Sequence, residues 1–326
     1  MRSHLAAAVV VATSLALVGC STNQRAVDVQ SDLVSLTKSG AVGAIATLDG
    51  GNTTMVLTSG VPNLTDGDSI GDNDRVRIGS VTQTFTAALV LQFVAEGKIT
   101  LDAPVRQYLP NQLGSNAHAD LVTVRQLLQP HSGLPEIDGE IPFADSNYLA
   151  LGTLIEAVSG RSYSDELAAR ILEPLDLEDT YLPPAGEQDI RGDHLTGYKD
   201  LATGRTDVSR TEPSIAWSAG ALVSTGKDLN TFWRALLSGR ILPDKELAEM
   251  TAPQPGSTEA DALDYGLGLH VTDLPCGVTY VGHSGGIRGY STLSGATLDR
   301  AFTVTMTSTP KNPPDTIEIL SHALCP

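Results

Sequence analysis

Between Thr82 and Glu96 the chain offers a helical segment with almost no polar face: Phe85, Leu89, Val90, Leu91, Phe93 and Val94 point to nearly every side. A helix of that kind has no place on a surface and must be enclosed by the rest of the protein. The 326 residues, 41% of them hydrophobic, are enough to enclose it, in one large domain or two small ones. What encloses it is written at the two chain ends. Val42 to Leu48 and Thr53 to Leu57 flank Asp49-Gly50-Gly51-Asn52, a turn-forming cluster that predicts a β-hairpin. Near the C-terminus, Tyr265 to Val271, Thr279 to His283, Tyr290 to Ala296 and Phe302 to Thr307 are strand-like, and Asp315 to Leu324 closes as a helix. The middle is mainly helical. The expected class is therefore α/β in the α+β sense, with an antiparallel sheet built from both chain ends, flanked by helices and carrying an inserted helical region.

The N-terminus carries a separate signal. Met1 to His4 holds one basic residue, and Leu5 to Gly19 is an apolar run too short to span a bilayer, so residues 1–19 read as an export signal. Leu17-Val18-Gly19-Cys20 resembles the bacterial lipobox, which implies a diacylglyceryl group on Cys20; the alternative is a plain secretory signal with a coincidental cysteine. Residues 20–31 are then expected to be the lipidated cysteine and a polar tether, Asp32 to Lys38 a brief amphipathic helix, and 32–326 the folded domain. Membrane attachment through the lipid, on the extracytoplasmic face of the plasma membrane, follows from that reading. Once Cys20 is set apart, Cys276 and Cys325 remain, and outside the cytoplasm a pair invites a disulfide; two unrelated small buried side chains are the other reading. Acidic residues outnumber basic ones 38 to 21, which speaks against nucleic-acid binding. Seven scattered histidines, with no CxxC or HExxH, indicate no metal site, and no cofactor is implied.

Ser80 stands at the mouth of the enclosed helix, in Arg77-Ile78-Gly79-Ser80-Val81-Thr82-Gln83. Further along come Glu96-Gly97-Lys98-Ile99-Thr100-Leu101-Asp102-Ala103-Pro104-Val105, Ser132-Gly133-Leu134, Glu173-Pro174-Leu175, Ala219-Gly220-Ala221-Leu222-Val223-Ser224-Thr225, Tyr265-Gly266-Leu267-Gly268 and Gly282-His283-Ser284-Gly285-Gly286. Each is weak alone, but as an ordered set over nearly the whole mature chain they resemble the serine β-lactamase and penicillin-binding-protein family, of the class C β-lactamase and D-alanyl-D-alanine carboxypeptidase type.

That resemblance implies acyl transfer at Ser80 on a cell-wall peptide, an ester or a β-lactam, with the N–H groups of Ser80 and Gly286 holding the oxyanion and Ser284 and Gly285 lining the substrate strand. A serine at a helix start lies near partial positive charge, and the side chain three residues later falls on the same face. The family places a lysine base there; this chain has Gln83, whose amide takes up no proton. The family's Tyr-x-Asn falls on Phe143-Ala144-Asp145, so a phenol and an amide are replaced by Phe143 and Asp145. The interval from Gly133 to Phe143 is also shorter than the family's. Asp145 and His283 are the remaining candidate bases, Asp145 being weak at an ordinary carboxylate pKa. Ser80 as a simple helix N-cap, Gln83 as its hydrogen-bond partner, Asp145 as a local capping acceptor and Trp217 as packing are the structural alternatives. Three functions stay open: an envelope lipoprotein of this fold with an incomplete site, an active serine hydrolase, and a non-catalytic binding module for envelope peptides or a protein partner.

Overall fold

The computed structural model describes residues 14–50, 53–65, 68–110, 121–130, 143–253, 264–308 and 314–326. In chain order, α1 (Ser14–Lys38) leads into the hairpin β1 (Gly43–Gly50) and β2 (Thr53–Gly60), then β3 (Val76–Arg77) and α2 (Val81–Ala95). The helical region follows with α3 (Val124–Leu127), α4 (Phe143–Ser159) and α5 (Tyr163–Leu167). A small hairpin of β4 (Tyr198–Leu201) and β5 (Gly204–Asp207) precedes α6 (Pro213–Gly220), β6 (Val223–Ser224), α7 (Gly226–Leu237) and α8 (Asp244–Thr251). The chain ends with β7 (Asp264–Tyr265), β8 (His270–Asp273), β9 (Thr279–Ile287), β10 (Tyr290–Ala296), β11 (Arg300–Thr307) and α9 (Thr316–Leu324).

Seven strands form the main sheet in the order β2-β1-β11-β10-β9-β8-β7, every neighbouring pair antiparallel. The first and last strand groups meet where β1 pairs with β11, Ala46 opposite Val304. Alternation along β1 divides the core. Ala44, Ala46 and Leu48 join Val29, Leu33 and Leu36 of α1 and Ile319, Leu320 and Leu324 of α9 on one face. Ile45 faces the other way, toward the larger core around α2, α4 and α7. There α2 is enclosed as its composition requires, with Phe85 stacked on Phe232 of α7 at 3.8 Å between ring centroids.

Two expectations are corrected. The segment 20–31 is not a loose tether: α1 is one helix through Lys38, and from Arg25 onward it is docked. Arg25 Nε donates to the Ala323 carbonyl at 2.5 Å, and Nη1 donates to the Asp49 carbonyl at 3.2 Å. The guanidinium thus meets one carbonyl in the last turn of α9, where the helix leaves its carbonyls unpaired, and one at the end of β1. Val29, Leu33 and Leu36, spaced as one helical face, are buried beside it. Tyr265 to Val271 is likewise not one strand: Gly268, with φ +81°, turns it into the β7–β8 hairpin, Tyr265 opposite His270. Cys276 and Cys325 are joined, their Cα atoms 6.0 Å apart across a separation of 49, a closure that stabilises by roughly 4 kcal/mol in the chain-entropy model. Among the described residues, no helix is long and apolar enough to cross a membrane.

Candidate functional site

The site forms where β9 outruns β8. β8 pairs only as far as Gly282, whereas β10 continues to Ile287, so one edge of β9 from His283 onward lies free of its neighbour strand. That edge is laid against the residues leading into α2. A Cβ placed on Gly285 would stand 2.0 Å from the Ile78 carbonyl oxygen, and one on Gly79 2.8–2.9 Å from the backbone of Gly286. Only glycine permits this approach, and Gly79 also adopts φ +52°. The backbones of Ser80 and Gly286 are thereby brought side by side, as an oxyanion cradle requires. Ser284 and Gly286 point to the open side; a Cβ on Gly286 would meet nothing.

Ser80 is half-buried, with φ −63° and ψ −7°. Its hydroxyl makes no capping bond, so the N-cap alternative is not the arrangement found. α2 is instead fastened by its threonines. Thr84 Oγ1 donates to the Gly268 carbonyl at 2.7 Å, Thr86 Oγ1 to that of Ser218 at 2.7 Å, and Thr82 Oγ1 accepts the Leu222 N–H at 3.3 Å. These bonds explain how a fully enclosed helix carries hydroxyls.

Gln83 is buried one turn inside, 3% exposed, and it does not serve Ser80: its Nε2 donates to Asp145 Oδ1 at 3.3 Å. Asp145 lies in the first turn of α4, and burial pushes its carboxyl above the ordinary carboxylate value, the Gln83 bond acting in the opposite sense. Phe143 begins α4, but its side chain lies outside the described residues, as do His131-Ser132-Gly133 and the interval up to residue 142.

His283 is drawn into a buried network behind the strand edge. Its Nδ1 meets the Ser284 carbonyl, which only accepts, so Nδ1 carries the proton. Nε2 then accepts the Tyr265 hydroxyl at 3.0 Å. Both ring nitrogens are spent, and burial, aided by His270 at 5.2 Å between centroids, pushes the ring down to about 3. Tyr265 also meets Tyr148, whose hydroxyl donates to the Leu128 carbonyl at 3.0 Å. Tyr148, Tyr265 and His270 were not among the candidate residues; an aromatic beside a glycine turn, Tyr265-Gly266-Leu267-Gly268, was the available signal.

Trp217 packs edge-on against Tyr163 at 5.4 Å and holds φ 30°, ψ −118°, a conformation non-glycine residues rarely adopt. Its ring lines a cavity of about 440 Å³ with Leu182, Pro183, Pro184 and Pro213. Among the described residues, no group of acidic, histidine or cysteine side chains is placed to hold a metal ion.

A family model described as Beta-lactamase matches residues 29–323. Penicillin-binding protein 4 of Amycolatopsis lactamdurans is 26% identical over 225 residues, which are 58% of this chain and 57% of that protein. Teichoic acid D-alanine hydrolase of Staphylococcus aureus is 27% identical over 211 residues, 57% of this chain and 52% of that one. The chain spans about half the length of these curated relatives. A D-stereospecific amidohydrolase from Streptomyces sp. superposes with a TM-score of 0.80 at 30% identity, covering 92% of this chain and 98% of its own. D-amino acid amidase from Ochrobactrum anthropi SV3 reaches the same TM-score at 23% identity, over 91% of this chain and 98% of its own, a likeness of fold alone.

Proposed function

The chain belongs to the β-lactamase family, and on that premise we propose that it is a lipid-anchored envelope protein that binds D-aminoacyl or peptide groups in the family's cleft without acyl transfer. The observation that carries this reading is the pairing of Gln83 with Asp145. The position expected to hold an amine holds an amide, and an amide accepts no proton at any working pH. His283 offers no substitute, because its one acceptor nitrogen is bound to Tyr265. The Ser80 hydroxyl keeps its proton and stays a poor nucleophile, while the Gly79–Gly286 cradle and the free β9 edge remain available to hold a carbonyl.

The ligand class is supported by the relatives, whose names refer to penicillin, to D-alanine and to D-stereospecific amide hydrolysis. The anchor rests on the sequence at Cys20; attachment there holds the domain through the docked helix α1 on the extracytoplasmic face of the plasma membrane.

Intact-mass analysis after exposure to a fluorophosphonate or penicillin probe tests the reading. Wild type and Ser80→Ala are expected to remain equally unmodified, and an adduct on wild type alone overturns it. A second reading, an active serine hydrolase, is favoured by the burial that raises the Asp145 carboxyl toward a useful base. It requires an adduct that Asp145→Asn abolishes.

A further inference from the structure

Most buried or half-buried carboxylates of the described chain are well supplied. Glu166 pairs with Arg170 and Arg161, Asp32 with His322, and Asp228 accepts from Thr180 and from the Asp179 N–H. Asp145 differs from these. Like Asp74, which accepts the Gly71 N–H, it is supplied by a neutral donor alone, but it is held to Gln83, the side chain at the family's base position: it accepts one 3.3 Å bond from that amide and has no cation against it among the described residues. A carboxylate so placed has given up part of its water without receiving a counter-charge. Because it only accepts, the amide nitrogen of Gln83 must face it, which turns the amide oxygen of Gln83 away as a second acceptor. Gln83, one helical turn inside Ser80, and the Asp145 carboxylate bound to it thus present two oxygen acceptors, one neutral and one charged, on the Ser80 side of the enclosed helix.

We propose that Asp145 is the anchor for a free ammonium group on the bound ligand, so that the cleft selects D-aminoacyl groups whose amine is unacylated. This rests on the reading of the cleft as a D-aminoacyl site and adds to it the charge of the ligand. The ammonium donates to Asp145 and to the Gln83 oxygen, and the ligand carbonyl lies toward the Ser80 and Gly286 N–H groups. An acylated amine has neither the charge nor the donors, and its acyl group would be set against a carboxylate.

The experiment is calorimetric titration of Ser80→Ala protein at pH 7 with D-alanine amide and with N-acetyl-D-alanine amide. Working in Ser80→Ala removes turnover, so Ser80-dependent hydrolysis by wild type would end the non-catalytic reading while leaving the amine preference measurable. D-alanine amide is expected to bind at least about tenfold more tightly, as a charge-assisted bond in a partly dry site does. Adding Asp145→Asn should erase that preference to within about threefold, with an unchanged melting temperature showing that the fold is intact. Gln83→Lys keeps Asp145 but places an internal ammonium against it, and should weaken D-alanine amide by a similar factor. Equal binding of the two probes, a preference that survives Asp145→Asn, or no binding of either at millimolar concentration would each overturn the proposal.

Discussion

Between α7 and the sheet a chain of hydrogen bonds runs from Trp233 Nε1 to Ser294 Oγ at 2.7 Å, on to Thr303 Oγ1 at 2.6 Å, to Asn230 Oδ1 at 2.8 Å, and from Asn230 Nδ2 to the Thr47 carbonyl at 3.1 Å. Every step has a fixed direction, since the indole only donates and the carbonyl only accepts. The cleft network, by contrast, is open-ended: Ser80 makes no capping bond and, among the described residues, Asp145 holds a single hydrogen bond. Both lie at the boundary of the same core. The first spends most of its polar groups on holding a helix to a sheet; among the described residues there, the Thr47 hydroxyl, pressed against Gly226, and Asp49 Oδ1 are without a partner. The second leaves polar groups unspent, and unspent groups in a cleft are what a ligand can use.

The sharpest way to break the contrast is to delete one side chain from each network and compare stability by chemical denaturation. Asn230→Leu strips the buried Thr303 hydroxyl of its acceptor and the Thr47 carbonyl of a donor, and is expected to cost roughly 2–5 kcal/mol. Gln83→Met, of similar shape, is expected to stay within about 1 kcal/mol, because the group it abandons, Asp145, is only partly buried. Equal costs would show that the cleft pair is as structural as the chain beneath α7.

A smaller effect lies at the docked N-terminal helix. His322 Nδ1 and Asp32 Oδ2 are 2.9 Å apart, joining α9 to α1. Burial lowers the His322 pKa, but the Asp32 bond and the surrounding carboxylates outweigh it, and the net shift is upward. The sign follows: a raised histidine contributes stability that is complete below its unfolded value and lost as pH rises through the folded one. The Asp32 carboxyl, raised chiefly by burial, acts in the same direction, binding protons more readily in the folded state. His322→Asn should therefore cost a few tenths of a kcal/mol at pH 5 and close to nothing at pH 8, read as melting temperature against pH. A cost that grows with pH would contradict this assignment.

What the sequence made legible and what it hid differ in range. α2 was legible because a segment without a polar face has one fate, and the sheet strands because alternation is local. The location of the site followed from Ser80 and from His283-Ser284-Gly285-Gly286, whose glycines are needed for close approach. The role of His283 was not legible, because it is decided by Tyr265, brought back across the β7–β8 turn, which the sequence presents as one strand. The docking of α1 was hidden for the same reason: the polar run around Arg25 suits a tether until it meets carbonyls 24 and 298 residues away. The replacement of the lysine by Gln83 was plain, but its attachment to Asp145, 62 residues on, was not.

The central claim concerns the proton of one hydroxyl, and the most direct measurement is release of p-nitroaniline from D-alanine p-nitroanilide by wild type and by Ser80→Ala at matched concentration. Indistinguishable traces are the predicted result. Release by wild type that disappears in Ser80→Ala would mean that the proton finds an acceptor among these side chains, and the account given of Gln83, Asp145 and His283 would be contradicted.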